Sequence, residues 1–109
     1  MAGRVNRGDV WLYSCKSPDK RRPVLVLTRT EVIGLLRTVM VAPITSAIRG
    51  APSEVIVGIE EGLKGRSAVN LDHVQTVEQR LLRQHLGSLG PDKMSAVCHA
   101  LAVATGCWP

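Results

Sequence analysis

The chain has 109 residues, 45% hydrophobic and 21% charged, which fits one folded domain, argues against wholesale disorder and leaves no room for a separate cofactor domain. Its apolar runs, at 24–27, 39–44 and 55–59, are far shorter than the roughly 18 residues that cross a bilayer, so a membrane-spanning protein is not expected. The net charge of +5 is unevenly divided: residues 1–49 hold nine Lys/Arg against three Asp/Glu, and residues 50–109 hold five against six.

In chain order, the opening MAGRVNRGDVW has no apolar segment, so no secretory leader is expected and the cytoplasm is the expected compartment. Asp9–Ser14 is β-prone through Val10, Trp11 and Tyr13. The next ten residues, with Pro18 and four clustered cations, read as loop. Pro23 opens Val24–Thr28, a continuous apolar run of the kind a strand buried on both faces displays. Thr38–Ile44 repeats it, Pro43 marking a bend, and a polar Gly/Pro loop follows. Glu54–Gly58 is a further strand, EEGLKGR a turn, and Ser67–Val77 one or two short strands broken near Asn70–Asp72.

Thr76–Leu82 reads as a short helix before Arg83–Leu89 turns strand-like again. The final helix is clearer: Pro91 suits the first helical position, Asp92 the positive end of the dipole, and Gly106 the C-terminal cap. Met94, Val97, Cys98, Leu101 and Ala104 form its apolar stripe. The expected class is mainly β with a C-terminal α-helix, the strands forming a small, partly closed antiparallel barrel.

Cys15, Cys98 and Cys107 form no C-x-x-C pattern and join no histidine at metal-ligand spacing, so no metal or cofactor site is expected. Cys98 and Cys107 are close enough in sequence to bridge in principle, but buried thiols are the reading preferred. Paired-carboxylate and Gly-x-Ser-x-Gly patterns are absent. Of three histidines, His99 and His85 read as surface and structural residues, whereas His73 sits at a strand break from which a side chain reaches a cleft.

Ten of the fourteen cations are arginines, which fit an anionic polymer through bidentate phosphate contacts; a solvated basic surface is the plainer alternative. Two residues stand at strand ends. Arg22 precedes Pro23 and offers a fixed fork of donors, while Thr45, with Ser46, closes the run 39–44 and offers a hydroxyl. The alternatives are a solvated cation and a turn hydroxyl bonded to its own backbone.

The segments RGDVWLY at 7–13, RRPVLVLT at 21–28, VAPITS at 41–46, SAVNLDHVQTV at 67–77 and RLLRQHLGSL at 80–89, taken together in this order, resemble the MazF/PemK toxins of bacterial toxin–antitoxin modules. The resemblance spans nearly the whole chain, 1–109, as a single toxin domain. It implies an SH3-like barrel of the type the MazF and CcdB toxins share, a homodimer, and a metal-independent endoribonuclease that cuts single-stranded messenger or transfer RNA to leave 2′,3′-cyclic phosphate and 5′-hydroxyl ends.

The family's catalytic arginine and threonine fall on Arg22 and Thr45, and His73 is an additional acid or base candidate. Lys16, Lys20, Arg21 and Arg49 would track the RNA backbone, with Ser46, Ser67 and Gln75 completing the contact set. A cognate MazE-like antitoxin is the implied partner. The loop Ser17–Arg21 and the stretch Asp72–Gln75 depart from the pattern of many relatives, so base preference does not transfer. The alternative is a CcdB-like gyrase poison, for which Trp108 is a loose echo.

Overall fold

The computed structural model describes residues 4–14 and 20–107; Cys15, Lys16 and Trp108 lie outside them. The strands are β1 (Asp9–Ser14), β2 (Arg21–Val26), β3 (Thr38–Thr45), β4 (Glu54–Val57), β5 (Ser67–Asn70), β6 (Gln75–Glu78) and β7 (Leu82–Ser88). A one-turn helix α1 (Thr30–Ile33) lies between β2 and β3, and α2 (Pro91–Thr105) ends the chain.

All pairings are antiparallel, in the order β4-β5-β3-β2-β1-β7, with β6 also on β3. The long strand β3 therefore changes neighbour along its length. Thr38–Val41 pairs with β6 and Ile44–Thr45 with β5. A 3-10 turn, Leu71–His73, carries the chain from β5 to β6 past the handover and packs against β3 and α2.

Each face of the sheet has its own core. On one face Val10, Leu25, Ala42, Ile44 and Val69 pack beneath Val97 and Ala100 of α2. On the other, Trp11, Val24, Val26, Val39, Val41, Val77 and Leu82 form a second cluster with Ile33 of α1. Burial on both sides explains why residues 24–28 show no polar alternation.

The end strands β4 and β7 do not pair, so the sheet is only partly closed. A 3-10 turn, Ile59–Glu61, bridges the gap. Gly62, at φ +90°, and Gly87 let the two backbones touch there: a Cβ on Gly62 would stand 2.0 Å from the Leu86 carbonyl oxygen, and one on Gly87 2.4 Å from that of Glu61. Glu61 fastens the junction. It is buried, accepts a 2.7 Å bond from the Gly58 N–H and pairs with Lys93 of α2 at 2.8 Å. Burial raises its pKa, but the Lys93 hydrogen bond, the Gly58 N–H and the Lys93 charge together outweigh it and hold the carboxyl below its ordinary value.

Pro91, Asp92 and Gly106 occupy the expected cap positions of α2, Gly106 at φ 72° donating to the Ala102 and Val103 carbonyls. Two expectations need correction. Thr76–Leu82 is not a helix: β6 claims its first residues and a 3-10 turn, Gln79–Leu81, leads into β7. Cys98 is exposed and lies off the α2 stripe, where Ala100 is buried instead. Cys107 is exposed too, and both thiols are free.

Candidate active site

Register decides which side chains meet. The β2–β3 ladder runs Val26↔Val41, Leu25↔Ala42 and Val24↔Pro43 and ends there, two residues short of Arg22 and Thr45, which lie at this same end of their strands. Strand alternation puts both on the Trp11 face, away from α2, because Val24 and Val26 lie in that cluster with Val41. On the other side of β2, Arg22 pairs directly with Tyr13 of β1. Tyr13 is half-buried against the Trp11 cluster, and its hydroxyl has no hydrogen-bond partner among the described residues.

Arg22 is exposed and Thr45 half-buried. The Thr45 hydroxyl accepts a 3.0 Å bond from the Ala47 N–H, the turn contact the plainer reading expects. That bond uses a lone pair and leaves the hydroxyl proton free to donate outward. Ser46 follows, exposed, at the start of the loop to β4. The loop is shaped by Glu54, whose carboxylate accepts from the backbone N–H groups of Arg49, Gly50 and Ala51 at 3.2, 2.8 and 3.1 Å. The Arg49 side chain is exposed, as is Lys20 just before β2.

His73 is exposed at the end of the turn beside β3. Asn70 orients it: its Oδ1 accepts from the Asp72 N–H at 2.9 Å, so its Nδ2 faces His73 Nδ1 at 3.4 Å. With Nδ1 facing the Asn70 amide, Nε2 is the ring nitrogen on the side away from Asn70. The Ser53 hydroxyl donates to Asp72 at 2.5 Å and ties this turn to the β3–β4 loop. Gln75, opposite Val41, is exposed on the same face as Thr45.

Two candidates fall on the other face. Arg21 alternates away from Arg22. Ser67 precedes Ala68, the partner of Thr45, and so shares the side of Val69 and Ile44, its hydroxyl donating to the Gly65 carbonyl at 3.2 Å. Lys16 is outside the described residues. His85, read as structural, stacks edge-on against Trp11 at 5.4 Å and stands 3.5 Å from Asp9, which also accepts from the Trp11 indole. An open groove of about 990 Å³ runs along the Trp11 face, lined by Trp11, Leu82, Arg4, Arg80 and Arg83. Leu82 is the β7 partner of Tyr13, and the groove's opposite wall is α1, with Thr30, Glu31 and Ile33; Tyr13, Arg22 and Thr45 do not line it.

A family profile described as PemK-like, MazF-like toxin of type II toxin–antitoxin system matches residues 6–105. The chain belongs to this family. It is 46% identical over 111 residues to a Mycobacterium tuberculosis protein named probable endoribonuclease MazF5, with 98% of both chains covered. Among solved structures it resembles the M. tuberculosis toxin MazF-mt6, with a TM-score of 0.83 at 36% identity over 90% of this chain and 96% of the other. It also resembles a mycobacterial endoribonuclease in complex with its cognate antitoxin, with a TM-score of 0.85 at 27% identity over 96% and 99%. These likenesses favour the MazF-type fold and lend no support to the CcdB-like alternative, whose Trp108 is outside the described residues.

Proposed function

We propose that this chain is the toxin of a type II toxin–antitoxin module, a metal-independent, sequence-specific endoribonuclease acting on single-stranded RNA in the cytoplasm as a homodimer and restrained by a cognate MazE-like antitoxin. The carrying observation is that Arg22 near the start of β2 and Thr45 at the end of β3 lie at the same end of two paired strands, on one face by strand alternation, with the Thr45 hydroxyl proton left free by its contact with the Ala47 N–H. Relatives named as probable endoribonucleases support the same reading.

In the reaction the RNA 2′-oxygen bonds to the adjacent phosphorus as the P–O5′ bond breaks, giving the cyclic phosphate and a 5′-hydroxyl. The 2′-hydroxyl proton passes to solvent, and the departing 5′-oxygen takes one up from solvent. Arg22 neutralises the non-bridging oxygens, where charge accumulates in the pentacoordinate state, and Thr45 donates to the same phosphate. Arginine acts by charge rather than as an acid, since its pKa exceeds about 12. His73 Nε2–H donates to the developing charge on the 5′-oxygen. Lys20, Arg49, Ser46 and Gln75 are the proposed contacts along the bound strand. An unpaired strand is required, because a duplex fixes the wrong geometry for in-line attack and hides the base edges.

The test is cleavage of single-stranded RNA in EDTA by purified wild type, Arg22→Ala and Thr45→Ala, with the 5′ ends of the fragments sequenced. Cleavage at short recurrent sequences, leaving 5′-hydroxyls and lost in both variants, is expected. Intact RNA with wild type, or equal activity in all three proteins, overturns the reading.

A further inference from the structure

We propose that Tyr13 is a substrate-contact residue of this site, its phenol hydroxyl donating a hydrogen bond to the RNA phosphate next to the scissile one. The proposal rests on the endoribonuclease reading and adds a residue to it.

Tyr13 is the β1 residue paired with Arg22, and directly opposed residues of an antiparallel pair stand with their Cβ atoms about 5 Å apart on one face. Tyr13 and Arg22 are thus paired neighbours, and Thr45 closes β3 at the same end of the sheet, all three on the Trp11 face by strand alternation. The ring packs against the edge of the Trp11 cluster, so its body is held and little of it remains for stacking. Trp11 itself is 2% exposed.

The hydroxyl is what packing does not explain. Phenylalanine or leucine would close this edge of the core equally well, whereas the phenol brings a polar group that bonds to nothing in the described protein. An amphipathic side chain with its ring buried and its hydroxyl at the wet rim, beside a guanidinium, is suited to an anionic acceptor. An extended strand with one phosphate on Arg22 and Thr45 brings the neighbouring phosphate over β1.

The experiment compares wild type, Tyr13→Phe and Tyr13→Leu as the full chain. It measures kcat and KM on an RNA that wild type cleaves, and binding of the same RNA carrying a single 2′-deoxy at the cut site, with thermal melts as a folding check. Tyr13→Phe is expected to melt like wild type, raise KM and the Kd for the deoxy analogue by about tenfold, and leave kcat within twofold. A Tyr13→Phe protein that binds and cleaves like wild type overturns the proposal, whatever Tyr13→Leu does. A loss in kcat alone overturns it as well. If wild type cleaves no RNA, the endoribonuclease reading falls and takes this one with it, a pattern distinct from an active wild type with an unaffected Tyr13→Phe.

Discussion

Gly62 and Gly87 meet backbone to backbone where the turn after β4 crosses β7, closer than any side chain allows. Gly87→Ala is expected to destabilise the protein by about 2–3 kcal/mol, because the added methyl meets main chain that cannot swing aside. Gly62→Ala adds the left-handed φ to the same clash. Urea unfolding at an unchanged m-value checks this, and a midpoint equal to wild type refutes it.

The Glu61–Lys93 pair next to this contact sets a pH signature. Glu61 is held below its ordinary value of 4.5, so it contributes stability that is complete above that pH and is lost as the pH falls through the folded-state value. Lys93→Met leaves a buried carboxylate with the Gly58 N–H but no counter-charge. The stability gap to wild type should be widest near neutrality and shrink below about pH 4.5, as Glu61 becomes neutral in both proteins. A gap independent of pH in chemical denaturation would contradict this.

At the site, Thr45→Ser should retain most of the cleavage rate, because the hydroxyl still accepts from Ala47 and donates outward. Thr45→Val keeps the shape without the donor and should lose about 10²-fold or more in kcat. Comparable rates for the two variants would rule out donation by Thr45.

His73→Ala should lower kcat about 10²-fold, the scale of one lost donor at a developing oxyanion. Asn70→Ala should lower it by less, through a loosened ring. Single-turnover cleavage distinguishes this from weaker RNA binding, and an unchanged rate for His73→Ala removes the residue from the chemistry.

Cys98 and Cys107 should both be alkylated by iodoacetamide in the folded, unreduced protein. Protection of the two together, released by a reductant, would contradict two free thiols.

The strands and α2 were legible because local chemistry marks them: Pro23 at a strand start, Pro91 and Gly106 at the helix caps. Residues 76–82 misled because Val77 and Leu81 fall four apart, as on a helix, whereas pairing with β3 places Val77 against Val39 in the second core. The helix α1 has four residues, too few to display a period. Arg22 and Thr45 could be singled out as strand ends. The opposite facing of Arg21 and Arg22 could not, since both faces of β2 are buried further along and the apolar run conceals its own alternation. Tyr13 carried a faint signal, two residues from Trp11, but its pairing with Arg22 depends on register alone.

Glu54 grips the β3–β4 loop by main-chain N–H groups, which every amino acid except proline supplies. This anchor on residues 49–51 therefore does not depend on their side chains, although Gly50 also supplies a left-handed φ of 75°. Point substitutions at exposed Ser46, Ala47 or Arg49 leave this main-chain anchor in place, so the loop's side chains can vary while Glu54 keeps its hold.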